Sequence, residues 1–186
     1  MNRRKWITYI SLSAIFIALN IVLTIYLIIP LPGQGYANLS DAIIILLSSL
    51  IHPLLGAVVG AISGAISDLI LGYGIYIPFT FLIKGIEGLV VGYILRIIFK
   101  SKPKIGLFLV FPVAFLGGIL MMSGYFFMEL AFFDLSVASA DILGNFLQGI
   151  VGSICGTILF YSLFKLPIIK YLDNSANACL LEKMGS

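Results

Sequence analysis

Four polar side chains share one face of a predicted helix in the middle of an apolar stretch. Tyr76, Thr80, Lys84 and Glu87 recur at spacings of four, four and three residues, among Phe, Leu, Ile and Val. A charged side chain at the bilayer midplane costs several kcal/mol if it faces lipid, so this stripe must point into a helix bundle. An ammonium and a carboxylate in that position can bind a polar solute or relay protons.

Two further predicted helices and one loop carry matching polar groups in the same half of the bundle. On each helix the spacing of four or seven residues puts the groups on one face, and Asp141 shares the face of Asn145 and Gln148. Polar groups that converge in an apolar bundle, with aromatic rings among them, describe a small-molecule pocket that opens to the outside. The candidate substrate-binding residues are Gln34, Tyr36, Asn38, Asp41, Tyr76, Thr80, Lys84, Glu87, Tyr125, Glu129, Asn145 and Gln148.

Simpler roles are open for several of these residues. Lys84 and Glu87 could form a buried ion pair that serves packing alone. Asp41 and Asp141 could be the N-caps of their helices, a role that needs no ligand. The outer tyrosines could belong to the aromatic belt at the membrane interface, namely Tyr36, Tyr73 and Tyr76.

The composition places these helices in a membrane. Of 186 residues, 61% are hydrophobic and only 10% are charged, and the mean hydropathy is +1.15. This predicts an all-α integral membrane protein, with residues 1–170 as one six-helix transmembrane domain and 171–186 as a cytoplasmic tail. The sequence contains neither an ATP-binding loop nor a hydrolase motif, and its one histidine, His52, lies at a predicted turn. We therefore expect no enzyme activity, no cofactor, no metal site and no nucleic-acid partner.

Apolar runs and the Pro and Gly residues between them predict six spans. Their expected bounds are Trp6–Ile29, Asp41–Ile51, Leu54–Leu71, Ile75–Phe99, Ile105–Phe133 and Ala138–Phe164. With six spans, every cation except Lys84 falls on one side, which is then the cytoplasmic side and holds both termini. These cations are Arg3, Arg4, Lys5, Arg96, Lys100, Lys102, Lys104, Lys165, Lys170 and Lys183.

Small residues mark two further helix surfaces. Gly56, Gly60 and Gly64 form a ladder on the third helix that lets another helix approach closely, and Asp68 continues that ladder. Ala14 and Ala18 form an Ala-x-x-x-Ala pair on the first helix. The ladder indicates packing, with Asp68 placed to hydrogen-bond across the helix contact.

Three stretches of the chain resemble the S components of energy-coupling factor (ECF) vitamin transporters. They are the pair Ala14 and Ala18, the segment "GYANLSDAIIILLSSLIHPLLGAVVGAISGAISDLILGYG", and "IYIPFTFLIKGIEGLVVGYI" with its Lys-Gly-x-Glu-Gly. Residues 35–92 look most like the branch that handles pyridoxine-type and hydroxymethylpyrimidine-type compounds. The likeness covers the whole chain.

The resemblance implies an ABC-type importer of a prokaryotic plasma membrane, in which this chain captures a vitamin from outside. The loop Pro30 to Ser40 would cap the pocket, and the face with Ala14 and Ala18 would dock a transmembrane T subunit. Two cytoplasmic ATPases would supply the energy. The alternative is an autonomous ion-coupled secondary transporter of a small metabolite that uses Lys84, Glu87 and Glu129 as a relay.

Overall fold

The computed structural model describes residues 3–164, with side chains from Trp6 onward. Over that range the prediction of six helices is confirmed, and a two-stranded ribbon joins the first two. The predicted tail 171–186, and the cations Lys165, Lys170 and Lys183, lie outside the described residues. The elements are α1 Arg3–Tyr26, β1 Ile29–Pro30, β2 Tyr36–Ala37, α2 Ser40–Leu50, α3 Pro53–Leu71, α4 Ile77–Ser101, α5 Pro103–Phe132 and α6 Leu135–Leu163.

Local chemistry sets several helix ends. The His52 side chain accepts a hydrogen bond from the Leu54 N–H at the start of α3, so His52 is the turn residue that the sequence predicted. Gly72 ends α3 with φ of 82°, a left-handed conformation in which glycine is favoured. Asp134 caps α6 by accepting a hydrogen bond from the Val137 N–H at 2.9 Å.

Four of the helices, α1, α3, α5 and α6, are each long and apolar enough to cross a membrane. Helix α2 has 11 residues, all of them buried. At 1.5 Å per residue it is about 16 Å long, whereas the hydrocarbon core of a bilayer is about 30 Å thick. Helix α2 is therefore a central packing element that begins inside the bundle, and the count of six complete crossings stays a prediction.

Helix α2 packs against α3, α4 and α6, while α1 lies against α3 and α5 bridges α4 and α6. Glycines bring the backbones together, as the small-residue ladder predicted. Gly56 faces Ser48 of α2, and Gly64 faces Thr80 of α4. Gly118 meets Gly149 backbone to backbone at the contact between α5 and α6.

The bundle is divided into two halves of different chemistry. The end of the bundle that holds the residues between α1 and α2, here called the outer end, contains the polar stripes. Towards the opposite end the interior is apolar and includes Leu47 of α2, Val91, Leu95 and Phe99 of α4 and Phe160 of α6. The rings of Phe99 and Phe160 stack with centroids 5.9 Å apart.

The close contact of α3 with α4 predicts different effects for two glycines of α4. A Cβ at Gly88 would lie 2.7 Å from the Ala57 backbone N, whereas a Cβ at Gly85 would lie 3.4 Å from Ala61 Cβ and 3.9 Å from the Ala57 carbonyl oxygen, both ordinary contacts. Gly88→Ala should therefore lower the free energy of unfolding by about 1–3 kcal/mol. Gly85→Ala is the matched control and should leave it unchanged or raise it by up to about 1 kcal/mol. Denaturant titration in mild detergent measures both, and equal losses would contradict the packing described.

Candidate functional site

The polar interior is built around a buried lysine. Lys84 Nζ donates a hydrogen bond to Asp41 Oδ1 and lies 3.6 Å from Glu87 Oε2. None of the three residues exposes more than 2% of its surface. Asp41 lies in the first turn of α2, where the helix dipole also favours a carboxylate. Breaking a buried pair by removing one partner costs about 3–5 kcal/mol, because the other charge is then left uncompensated in the bundle.

Gln148 of α6 joins this ion cluster to the residues before α2. Its Nε2 donates to Asp41 Oδ2 at 2.9 Å, and its Oε1 accepts from the Asn38 N–H at 2.8 Å. Both oxygens of Asp41 are thus hydrogen-bonded to side chains from other helices. The N-cap position of α2 is Leu39 and has no side-chain cap, so the N-cap alternative for Asp41 is wrong.

Residues 31–39, here called the entry loop, descend into the bundle along α6. Asp141 accepts hydrogen bonds from the backbone N–H groups of Gly33 at 2.5 Å, Gln34 at 3.0 Å and Gly35 at 2.7 Å. Leu31 packs on Gly144, where any Cβ would collide with the leucine side chain. The N-cap alternative for Asp141 is therefore also wrong: Asp134 caps α6, and Asp141 anchors the entry loop.

Three tyrosine hydroxyls donate into the outer half of the bundle. Tyr36 donates to Asp68 Oδ1 at 2.6 Å, Tyr76 to Glu129 Oε1 at 3.1 Å and Tyr125 to Thr80 Oγ1 at 3.1 Å. The interfacial-belt alternative is therefore wrong for Tyr76, which is buried. Tyr36 and Tyr73 are both half-buried, with ring centroids 4.7 Å apart, and for them that alternative stays open.

Tyr36 lies in the entry loop, where burial and the neighbouring Asp68 carboxylate raise the pKa of its phenol above the usual value. Its hydroxyl therefore keeps its proton and remains a donor at neutral pH. Asp68 therefore hydrogen-bonds to the entry loop, and not across a contact with another helix as the sequence predicted.

One cavity lies between the entry loop and the ion cluster. Its volume is about 20 Å³, which is room for roughly one water molecule, so a vitamin-sized ligand requires the entry loop and side chains to move. Nine of the twelve predicted site residues surround it: Tyr36, Asn38, Tyr76, Thr80, Lys84, Tyr125, Glu129, Asn145 and Gln148.

The other three predicted residues are not part of the cavity wall. The Gln34 side chain is exposed, and only its backbone contacts the bundle. Asp41 and Glu87 lie behind Lys84 and hold it from the far side. The wall also contains five residues that sequence reasoning did not assign to a pocket: Thr24, Gly35, Ser40, Gly64 and Asp68. The sequence could have indicated Asp68 as a pocket residue, because it is the one charged residue of α3.

Comparison with known proteins shows one matching family model and one similar protein. Residues 5–165 match the model of the family described as "ECF-type riboflavin transporter, S component". The chain is also 36% identical over 145 residues to a Pyrococcus woesei protein described as "Uncharacterized protein in gap 3'region". That alignment covers 77% of this chain and 93% of the relative.

The anchoring of the entry loop by Asp141 predicts faster hydrogen exchange when the carboxylate is lost. In Asp141→Asn the carboxamide keeps one acceptor oxygen, so at least one of the three hydrogen bonds breaks. A hydrogen bond to a charged group contributes about 1.5–3 kcal/mol. Backbone amides of residues 33–35 should therefore exchange at least about tenfold faster in deuterium-exchange mass spectrometry.

The matched control for this experiment is Asp134→Asn. It removes a carboxylate from the start of the same helix, and asparagine caps a helix about as well as aspartate. Exchange in the entry loop should be unchanged. If the two variants gave the same exchange rates, Asp141 would not be the anchor.

Proposed function

Because the chain belongs to the family of ECF-type transporter S components, we propose that it is the membrane-embedded substrate-binding subunit of an ECF-type importer. In this role it captures a small water-soluble vitamin or vitamin precursor outside a prokaryotic plasma membrane. The observation that carries the proposal is the cavity beneath the entry loop, where tyrosine, carboxyl and amide groups from the loop, from α3, α5 and α6, and from Tyr76 at the start of α4 converge.

The closed cytoplasmic half of the bundle supports a binding subunit over a carrier that works alone. Below Glu87, the buried side chains of α4 are Val91, Leu95 and Phe99, which pack into the apolar cluster with Phe160. A polar ligand cannot cross this cluster without a large rearrangement. Release on the inner side therefore calls for partner subunits that reorient or open the bundle.

The alternative of a secondary transporter requires Lys84, Glu87 and Glu129 to act as one relay. Lys84 contacts Glu87 and Asp41, but Glu129 is hydrogen-bonded to Tyr76 in a separate cluster nearer the outer end. The apolar cluster below Glu87 lies between both sets and the proposed cytoplasmic end of the bundle. These contacts favour the S-component proposal.

The partners in this proposal are a T subunit and two cytoplasmic ATPases, and the docking surface is the face of α1 that carries Ala14 and Ala18. Both alanines are exposed, and side chains this small allow a crossing helix to come close. The proposed topology has six crossings with both termini in the cytoplasm.

The ligand class that we propose is a nitrogen heteroaromatic of the pyridoxine or hydroxymethylpyrimidine type, as the likeness over residues 35–92 indicates. The matching family model carries the name of riboflavin, a larger flavin. The small cavity favours the single-ring compounds, since a smaller ligand displaces fewer of the packed side chains.

Co-isolation and transport test the proposed function together. Affinity purification of the tagged chain from its host should retain a T subunit and two ATPases, and uptake should require ATP. A chain that is isolated without partners, and that moves a solute along an ion gradient after reconstitution alone, would establish the secondary transporter instead.

The docking proposal predicts that two large residues on α1 separate binding from transport. Ala14→Trp with Ala18→Trp should abolish uptake by the full complex, because a T-subunit helix can no longer approach. Ligand binding to the isolated chain should stay within about twofold of wild type, or about 0.4 kcal/mol. The matched control is Leu143→Trp with Leu147→Trp, at the same spacing on an exposed face of α6. Uptake that survives in the alanine variant, or is lost equally in the control, would contradict the assigned surface.

A further inference from the structure

Carboxyl groups outnumber cations in the polar half of the bundle. Five carboxyl groups and one ammonium lie within it, and each of these six residues exposes 2% of its surface or less. Two carboxyl groups contact Lys84, and a third, that of Asp141, binds the backbone of the entry loop. The full set is Asp41, Asp68, Glu87, Glu129, Asp141 and Lys84.

The remaining two carboxyl groups, those of Asp68 and Glu129, are part of the cavity wall. Each uses one oxygen to accept a tyrosine hydroxyl, from Tyr36 and Tyr76 respectively. The other oxygen of each, Asp68 Oδ2 and Glu129 Oε2, is buried and has no hydrogen-bond partner among residues 3–164.

The two carboxyl groups have different neighbours. The Thr80 hydroxyl, whose oxygen already accepts from Tyr125, lies near the Asp68 carboxyl without completing a hydrogen bond to Oδ2, whereas a second acidic group, Asp141, adjoins the Glu129 carboxyl. A buried carboxylate oxygen without a donor costs about 1–3 kcal/mol or more, so a ligand that brings donors recovers this free energy on binding.

An anionic ligand does not suit this cavity. Lys84 is the one cationic side chain in the cavity wall as far as the structure describes it, and its ammonium is already shared by Asp41 and Glu87. A phosphate or carboxylate would lie beside Asp68 and Glu129 without a counter-charge of its own. Two negative charges that lie close together in a cavity shielded from water repel each other strongly.

We propose that the cavity selects a flat nitrogen heteroaromatic that carries amino N–H donors or a positive charge, and that Asp68 and Glu129 are the residues that recognise them. The rings of Tyr76 and Tyr125, with centroids 6.4 Å apart, both belong to the cavity wall, and Tyr125 already carries a cation, Lys84 Nζ, 5.9 Å from its centroid. This inference rests on the proposed function and narrows its ligand class to amino-substituted or cationic compounds.

The test compares ligands that differ in one group. The full chain in nanodiscs is titrated by calorimetry with 4-amino-5-hydroxymethyl-2-methylpyrimidine and with its 4-hydroxy analogue. Thiamin, pyridoxine, riboflavin and pyridoxal 5′-phosphate are titrated in parallel. The amino compound or thiamin should bind most tightly, the 4-hydroxy analogue at least tenfold more weakly than its amino counterpart, and the phosphate not at all.

Two isosteric variants test whether Asp68 and Glu129 cause the preference for the amino compound. Asp68→Asn and Glu129→Gln keep the shape of each side chain and replace an acceptor oxygen by an NH₂ group. Each should reduce the preference for the amino compound over the 4-hydroxy analogue at least tenfold, with an unfolding midpoint equal to or above that of wild type. Asp134→Asn, which removes an exposed carboxylate at the start of α6, should keep the wild-type preference.

The outcomes separate the two proposals. If pyridoxine, riboflavin or the phosphate binds most tightly, or if both isosteric variants keep the preference, the recognition inferred here is wrong and the S-component function stands. Absence of binding by every probe, in a chain that still co-isolates with its T subunit and ATPases, likewise overturns only this inference. If no probe binds and no partner is retained, the proposed function fails as well.

Discussion

The contact between Lys84 and Asp41 is the constraint on which the outer half of this protein depends. An ammonium at this depth in an apolar bundle needs a carboxylate within reach, and Glu87 on the same helix, at 3.6 Å, does not hydrogen-bond to it. Asp41 supplies that hydrogen bond only because α2 begins inside the bundle. The preceding residues must therefore descend between the helices, which explains both the shortness of α2 and the buried course of the entry loop.

A loop inside an apolar bundle must have its backbone hydrogen-bonding groups satisfied, because neither lipid nor bulk water is there to do so. Asp141 and Gln148 of α6 meet this need by accepting four backbone N–H groups between Gly33 and Asn38. These side-chain contacts can be broken without unfolding a helix, unlike the backbone hydrogen bonds within a helix. The opening of this loop that the proposed ligand capture calls for would therefore leave every helix folded.

The helices and most of the polar cluster could be predicted from the sequence, because helical spacing and the cost of a charge in lipid act locally. The role of each polar side chain could not be predicted in this way. A carboxylate near the start of a predicted helix suits an N-cap and a distant partner equally, so Asp41 and Asp141 were ambiguous until residues more than 100 positions away were placed. Gln34 lies outside the cavity wall, because its backbone N–H and not its side chain makes the contact with Asp141. Asp68 was assigned to helix packing because its partner, Tyr36, lies in a loop, and a loop has no helical periodicity from which a contact can be predicted.

As a substrate-binding subunit, this chain by itself should hold one small molecule beneath the entry loop. Native mass spectrometry of the chain, purified alone from cells grown in rich medium, measures this. We expect one non-covalently bound small organic molecule per chain, released on unfolding and identifiable by its mass as a nitrogen heteroaromatic. A chain that carries no such molecule, and acquires none when an excess of mixed water-soluble vitamins is added, would contradict it.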